Sequence, residues 1–245
     1  MTMKKLDFRI LVMLLCVASM TVFFSCDDKK GNEPDDPATE QGSSSSVSGT
    51  ENGYEWVDLG LSVKWATCNV GATKPEEYGN YYAWGETTPK STYSWSTYKW
   101  CNGSYDIMTK YCTGSFYGTV DNKKVLDPED DAAAVNMGGN WRMPTIAEQQ
   151  ELIDKCTWIW TTLNGVNGYN VKGPNGNSIF LPAAGYRRNS DLNSAGSDGL
   201  YWSSSLTTDI LANAYGLYFD SDCVNWDYLG YSRYYGLSVR GVFSQ

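Results

Sequence analysis

Histidine is absent from all 245 residues, which excludes Ser-His-Asp and Cys-His nucleophile activation, histidine-ligated metals and a histidine pH switch. Of the seven cysteines, Cys16 falls in the N-terminal leader and Cys26 is the expected lipid attachment site, leaving Cys68, Cys101, Cys112, Cys156 and Cys223. An odd count in an exported chain requires a free thiol or an intermolecular pair. Cys101 and Cys112 are the expected partners by proximity, and no Cys-x-x-Cys spacing marks a structural zinc site. Asp127-Pro128-Glu129-Asp130-Asp131 clusters enough carboxylates for a hard cation such as Ca²⁺. The EF-hand spacing is missing, however, and the favoured reading is a helix start with Asp127 as N-cap and Pro128 at the first helical position. No catalytic residue, metal or cofactor is assigned. Paired carboxylates for glycoside hydrolysis stay open, with no particular pair indicated.

The more informative stretch is Gly199 to Arg240. Tyr215, Leu217 and Phe219 recur at period two, as in a half-buried strand. Around them stand Gly216, Tyr218, Asp220, Asp222, Cys223, Asp227, Tyr228, Leu229, Tyr231, Tyr234, Tyr235 and Leu237, which share neither size, charge nor propensity. A regular framework carrying unrelated residues predicts a display surface, with Tyr215, Leu217, Phe219, Val224, Trp226 and Val239 buried and the intervening side chains facing solvent. All 18 Tyr and 10 Trp lie beyond the leader. Their flat faces and polar tips suit contact surfaces and sugar stacking, and in a Gly-rich β-fold they also fill the core.

Lys4, Lys5 and Arg9 precede the apolar run Ile10 to Phe24, which ends at Ser25-Cys26. That is a secretory signal, too short for a spanning helix, and its cysteine predicts lipid attachment at Cys26; ordinary cleavage is the alternative. Asp27-Asp28-Lys29-Lys30 is similar to the acidic export signal of some surface lipoproteins. Residues 26–53 are rich in acids, Pro, Gly and Ser and read as a flexible linker, so residues 54–245 form the domain. Residues 1–25 contain three basic groups and one acid, so their removal lowers the 19 basic and 28 acidic residues to 16 and 27, net −11. With no basic stripe, nucleic acid is not an expected partner, and membrane contact is expected only through the N-terminal lipid.

Strands are predicted at 54–59, 64–71, 81–84, 158–162, 201–205, 214–219, 224–226 and 237–242, with long Gly/Tyr/Trp-rich loops between Pro75 and Gly118. A hairpin joins Tyr169-Asn170-Val171 to residues 178–181 through Gly173-Pro174-Asn175-Gly176. A first short helix begins at Asp127 and stops at Gly138. A second begins at Thr145, which forms a capping box with Glu148, and ends near Lys155.

Four elements then occur in order: Gly139-Asn140-Trp141-Arg142-Met143-Pro144-Thr145 with Glu148 and Leu152; Leu181-Pro182-Ala183-Ala184-Gly185-Tyr186; Tyr201-Trp202-Ser203-Ser204-Ser205; and Ser238-Val239-Arg240. Together they resemble the C-type-lectin-fold domains of bacterial lipoproteins, the major paralogous domain group. The first also resembles the core of formylglycine-generating-enzyme-like domains. The resemblance implies an α+β, C-type-lectin-like fold on an outer-membrane, surface-exposed lipoprotein. Some members of the group are variable proteins of diversity-generating retroelements, in which adenines of C-terminal Asn codons are mutagenised. Such codons cannot yield Lys, Glu, Gln, Met or Trp. From Tyr186 to Arg240 the chain has no Lys, Glu, Gln or Met, and its tryptophans there are Trp202 and Trp226, both at framework positions. Chance absence from a Gly/Ser/Tyr/Asp-rich loop is the competing explanation.

The resemblance extends the face to about residues 186–240, adding Arg187, Arg188 and Asp191. The expected function is non-catalytic binding of an extracellular protein or glycan. A glycan lectin is an alternative, although the calcium signatures of animal C-type lectins are missing. A structural or fimbrial subunit is another. Formylglycine-generating chemistry is disfavoured, because that enzyme class uses a cysteine pair and the C-terminal half offers Cys223 with Cys156 far away in sequence. Fold alone does not carry activity.

Overall fold

The computed structural model describes residues 47–226 and 230–244. Cys26 and the leader fall outside the described residues. Among the described residues there are four small antiparallel sheets, two short α-helices and short 3₁₀ turns, so this part of the chain is β-rich.

The first sheet ties the two ends of the described chain together. Its order is β1 (Ser48–Glu51), β2 (Tyr54–Val57), β3 (Lys64–Asn69) and β13 (Arg240–Phe243). β1 lies in the stretch assigned to the linker. Asn52 and Gly53 both take positive φ, which makes the tight turn that sets β1 against β2. Arg240 opposes Asn69 in the β3–β13 ladder. The Arg240 guanidinium is fully buried and donates to the Asn69 side chain and to the carbonyls of Ala66, Thr67 and Phe180. This explains the Ser-Val-Arg element: Arg240 fastens the last strand to β3 of its own sheet and, through Phe180, to one other sheet.

A second sheet is the meander β4 (Thr157–Leu163), β5 (Val166–Lys172) and β6 (Ser178–Pro182). Its second turn is the expected one, with Gly173 N–H donating to Asn177 and Gly176 N–H to Gly173. The small hairpin β7 (Tyr186–Arg188) and β8 (Asp191–Asn193) follows. Gly185, at φ +63°, precedes it; a Cβ there would stand 2.0 Å from the Asn193 carbonyl, so the Pro-Ala-Ala-Gly element must end on glycine.

The fourth sheet centres on β10 (Asn213–Phe219), flanked by β9 (Gly199–Leu206), β11 (Val224–Trp226) and β12 (Tyr231–Ser232). β9 is buried along its whole length. Trp202 donates its indole N–H to Tyr82, and Trp84 returns one to Ser203. The pairing of β10 with β9 shifts between Ala214 and Gly216. That irregularity breaks the expected alternation. Leu217, Phe219 and Val239 are buried as predicted, whereas Tyr215 and Val224 are half-buried.

Helix α2 (Ile146–Lys155) carries the predicted capping box and ends where expected. Helix α1 corrects the expectation: it runs Ala132–Met137 and its N-cap is Asp131, which accepts from Ala133 and Ala134. Asp127 precedes a single 3₁₀ turn, Pro128–Asp130, and caps nothing with its side chain. Residues 81–84 are not a strand either; Tyr82 makes one bridge to Leu237. The five cysteines from Cys68 to Cys223 are free thiols, so the expected Cys101–Cys112 pair is not made. Both thiols are buried and point at carbonyls instead, Cys101 at Trp95 and Cys112 at Gly114.

Candidate functional site

Residues 236–238 form the thread on which the C-terminal face is built. Gly236 exchanges two backbone hydrogen bonds with Arg187 of β7, Leu237 exchanges two with Tyr82, and Ser238 lies parallel to Tyr201 of β9. Leu237 is fully buried among Trp84, Leu200, Trp202 and Val239. Its expected place on the display face is therefore corrected: its backbone bonds on both sides turn the side chain into the core. Gly216 is corrected for a related reason. A Cβ on it would come within 2.8 Å of the Tyr201 carbonyl and 3.3 Å of the Tyr231 ring, so it makes room for Tyr231.

Arg233 holds the loop above this thread. Its side chain is fully buried and donates to the carbonyls of Tyr111, Leu211 and Lys110 and to the Met108 sulfur. The guanidinium lies 5.4 Å from both the Trp84 and Tyr98 ring centres. Carbonyls and π-faces take the part of a counterion. Its backbone adds bonds to Ala212 and Trp84. Arg233 thus locks residues 231–235 to loops around 84, 98 and 108–111. The sequence offered one signal for it, an arginine inside a tyrosine run.

On this support two groups of face residues assemble. In the first, Tyr186 and Tyr235 stack at 5.5 Å, Tyr234 meets Tyr235 edge-on at 4.8 Å, and Trp95 packs on Tyr234 at 4.8 Å. Arg188 lies over Tyr235 at 5.8 Å, and Arg187, half-buried, over Tyr81 at 5.2 Å. Trp95 and Tyr81 come from the loop-rich region between Pro75 and Gly118 or its edge, and nothing local in the sequence places them here. Asp191 stands exposed opposite Arg188 in the β7–β8 hairpin.

The second group is the β10–β11 turn. One Asp220 oxygen accepts from the backbone N–H of Asp222 and Cys223, and the other accepts from the Tyr218 hydroxyl at 2.9 Å. The backbone donors hold the Asp220 carboxyl below its ordinary value. Burial, helped by the neighbouring carboxylate, pushes the Tyr218 phenol up. Burial also raises the Cys223 thiol, with Asp220 adding to it, which keeps the sulfur protonated and poorly nucleophilic. Asp220 is therefore a turn-forming residue; Asp222 is exposed, and Tyr218 and Cys223 are half-buried. Tyr231 is half-buried, edge-on to Trp202 at 6.2 Å. Asp227, Tyr228 and Leu229 lie outside the described residues.

The other chemically suggestive elements are structural. Arg142 grips Glu148 bidentately at 2.8 and 2.5 Å, and Glu148 also takes the Thr145 N–H at 2.8 Å. Burial works to raise the Glu148 carboxyl, and the Arg142 bonds override it and hold it below its ordinary value. Asp127, Glu129 and Asp130 bring carboxylate oxygens within 4.8 Å of one another. Lys110 already sits among them, 2.6 Å from both Asp127 and Asp130, so a cation would have to displace an ammonium. A mostly apolar groove of about 420 Å³ runs beside Leu126, Trp141 and Met143.

A family model described as a domain of unknown function, DUF8237, matches residues 157–242, from the start of β4 into β13. No curated protein and no solved structure matches the chain.

Proposed function

We propose that this chain is a surface-anchored, non-catalytic binding protein with a C-type-lectin-like fold and a diversified C-terminal face. Cys26 carries the lipid of an outer-membrane lipoprotein, and residues 186–193 and 218–235 meet an extracellular ligand. The observation that carries the reading is the separation of roles within one segment. Leu217, Phe219, Arg233, Leu237, Val239 and Arg240 are buried, while Arg188, Asp191 and Asp222 are exposed and Tyr218, Cys223, Tyr231, Tyr234 and Tyr235 are partly so. Substitution at the exposed Arg188, Asp191 and Asp222 costs little stability and changes what the surface touches, whereas Tyr218, Tyr231 and Tyr235 also pack against the core. Tyr-rich faces bind through rigid aromatic anchors. The lectin-like fold is supported by the positions of the four motifs, all of which meet in the core around β9 and β13.

The test is replacement of Tyr228, Tyr231, Tyr234 and Tyr235 by Ala. Extracellular proteins and glycans that bind the wild type on an array are retested on this variant. Loss of binding is expected, and unchanged binding would remove the tyrosines from the site. One observation favours a structural subunit instead. β4 is an outer strand of its sheet, is uncharged and leaves Ile159 half exposed, which invites edge pairing. Sedimentation of the purified chain decides this: concentration-dependent assembly abolished by Ile159→Lys would support the subunit.

A further inference from the structure

Strand β7 places Tyr186 and Arg188 on one side and Arg187 on the other. Each arginine finds an aromatic ring rather than a carboxylate, Arg187 over Tyr81 and Arg188 over Tyr235. The ion pairs formed among the described residues all belong to other cations. Asp191 is directly opposite Arg188 in the hairpin register, and the two make no ion pair. Exposed cations such as Lys124 and Lys172 also lack a carboxylate among the described residues, so it is the aromatic seat of Arg188, more than its lack of an ion pair, that needs a reason.

The surroundings of Arg188 give one. Tyr235 stacks on Tyr186, Tyr234 braces Tyr235 and Trp95 braces Tyr234, so the ring beneath the guanidinium is held from several sides. A guanidinium resting on a fixed ring loses less freedom on binding, and its N–H fork matches a planar carboxylate. Tyr186 stacks on the Tyr235 ring and the Arg188 guanidinium lies over it, so the ring has little flat face left on which to stack a sugar. That favours a peptide over a glycan.

We infer that Arg188, seated on Tyr235, is the anion-recognising point of the C-terminal face and docks a carboxylate of an acidic peptide segment on a partner protein. The inference rests on the ligand-binding reading and names the chemistry of that same site.

The experiment titrates the purified full chain with hexaglutamate, hexaglutamine and polygalacturonate, at low and high salt. Wild type should prefer hexaglutamate to both others, and the preference should weaken with salt. Arg188→Ala should weaken hexaglutamate binding by about tenfold or more without lowering the melting temperature, because the side chain is exposed. Arg188→Lys should recover only part, having the charge without the fork. Asp191→Asn should bind hexaglutamate more tightly, since it removes a competing carboxylate. Equal binding by wild type and Arg188→Ala, no hexaglutamate binding by wild type, or a preference for polygalacturonate each overturns the inference. The array ligands separate this from the broader reading. If Arg188→Ala keeps them and the four-tyrosine variant loses them, the anion point fails alone; if both variants keep them, the binding-face reading fails as well.

Discussion

Leu237→Ala separates framework from display most sharply, because its place in a run of tyrosines and glycines marks it as a surface residue and its surroundings make it core. The side chain is fully buried in the core cluster that also holds Trp84, Trp202 and Val239, on a backbone paired to Tyr82 through hydrogen bonds of 3.0 and 3.1 Å. Truncation removes the transfer free energy of the lost methyl and methylene groups. It also leaves a cavity that two indoles and a paired strand cannot easily close. Leu-to-Ala changes at such sites cost about 2–5 kcal/mol. For a domain of this size each kcal/mol lowers the melting temperature by about 2–4 °C, so a loss of roughly 10 °C is expected. Urea unfolding followed by tryptophan fluorescence reads it directly, with Asp222→Ala as the exposed control within about 0.5 kcal/mol of wild type. A Leu237→Ala protein as stable as that control would refute the assignment of residues 236–238 as the buried thread.

Other consequences follow from the same contacts. The Glu148 carboxyl is held below its ordinary value of 4.5, so its contribution is fully present above that pH and is lost as pH falls through the lower folded value. Glu148→Gln should lower the urea midpoint at pH 7 by an amount equivalent to about 1–3 kcal/mol and should flatten the fall in midpoint between neutral and acidic pH; an unchanged acid limb would contradict it. Gly185→Ala should destabilise by at least about 1–3 kcal/mol, through positive φ and the close Asn193 carbonyl, and wild-type stability would remove the tight turn. Alkylation of the unfolded, unreduced protein should modify Cys101 and Cys112; protection of both would restore the disulfide. Arg233→Met should lose several kcal/mol of stability and loosen residues 231–235 in hydrogen exchange, whereas unchanged exchange there would deny it the clamp.

Local chemistry in the sequence was enough for the elements that depend on local chemistry. Thr145 and Glu148 satisfy each other within one turn of chain, so the capping box and α2 were legible. So was the Asn175-Gly176 turn. What failed depended on contacts distant in sequence. Asp127 looked like a cap because it precedes proline, yet lysines at 110 and 123 draw it away and Asp131, bound also by the Met143 N–H, takes the helix. Tyr215, Gly216 and Leu237 were misplaced because a register shift in β10 and a bridge to Tyr82 override simple alternation. Trp95 and Tyr81 reach the face from an irregular region whose path no periodicity encodes. β1 was hidden by composition: its Asn52-Gly53 turn adjoins a Ser-rich stretch that reads as linker.

The most direct measurement is the coding sequence of residues 186–240 across many isolates of one lineage, together with the search for a near-identical, Asn-rich template copy beside a reverse transcriptase. Adenine-directed changes are expected to concentrate at Arg188, Asp191, Tyr218, Asp222, Cys223, Tyr231, Tyr234 and Tyr235, with Leu217, Phe219, Arg233, Leu237, Val239 and Arg240 unchanged. Variation spread evenly over exposed and buried positions, or an invariant segment with no template copy, would contradict that expectation.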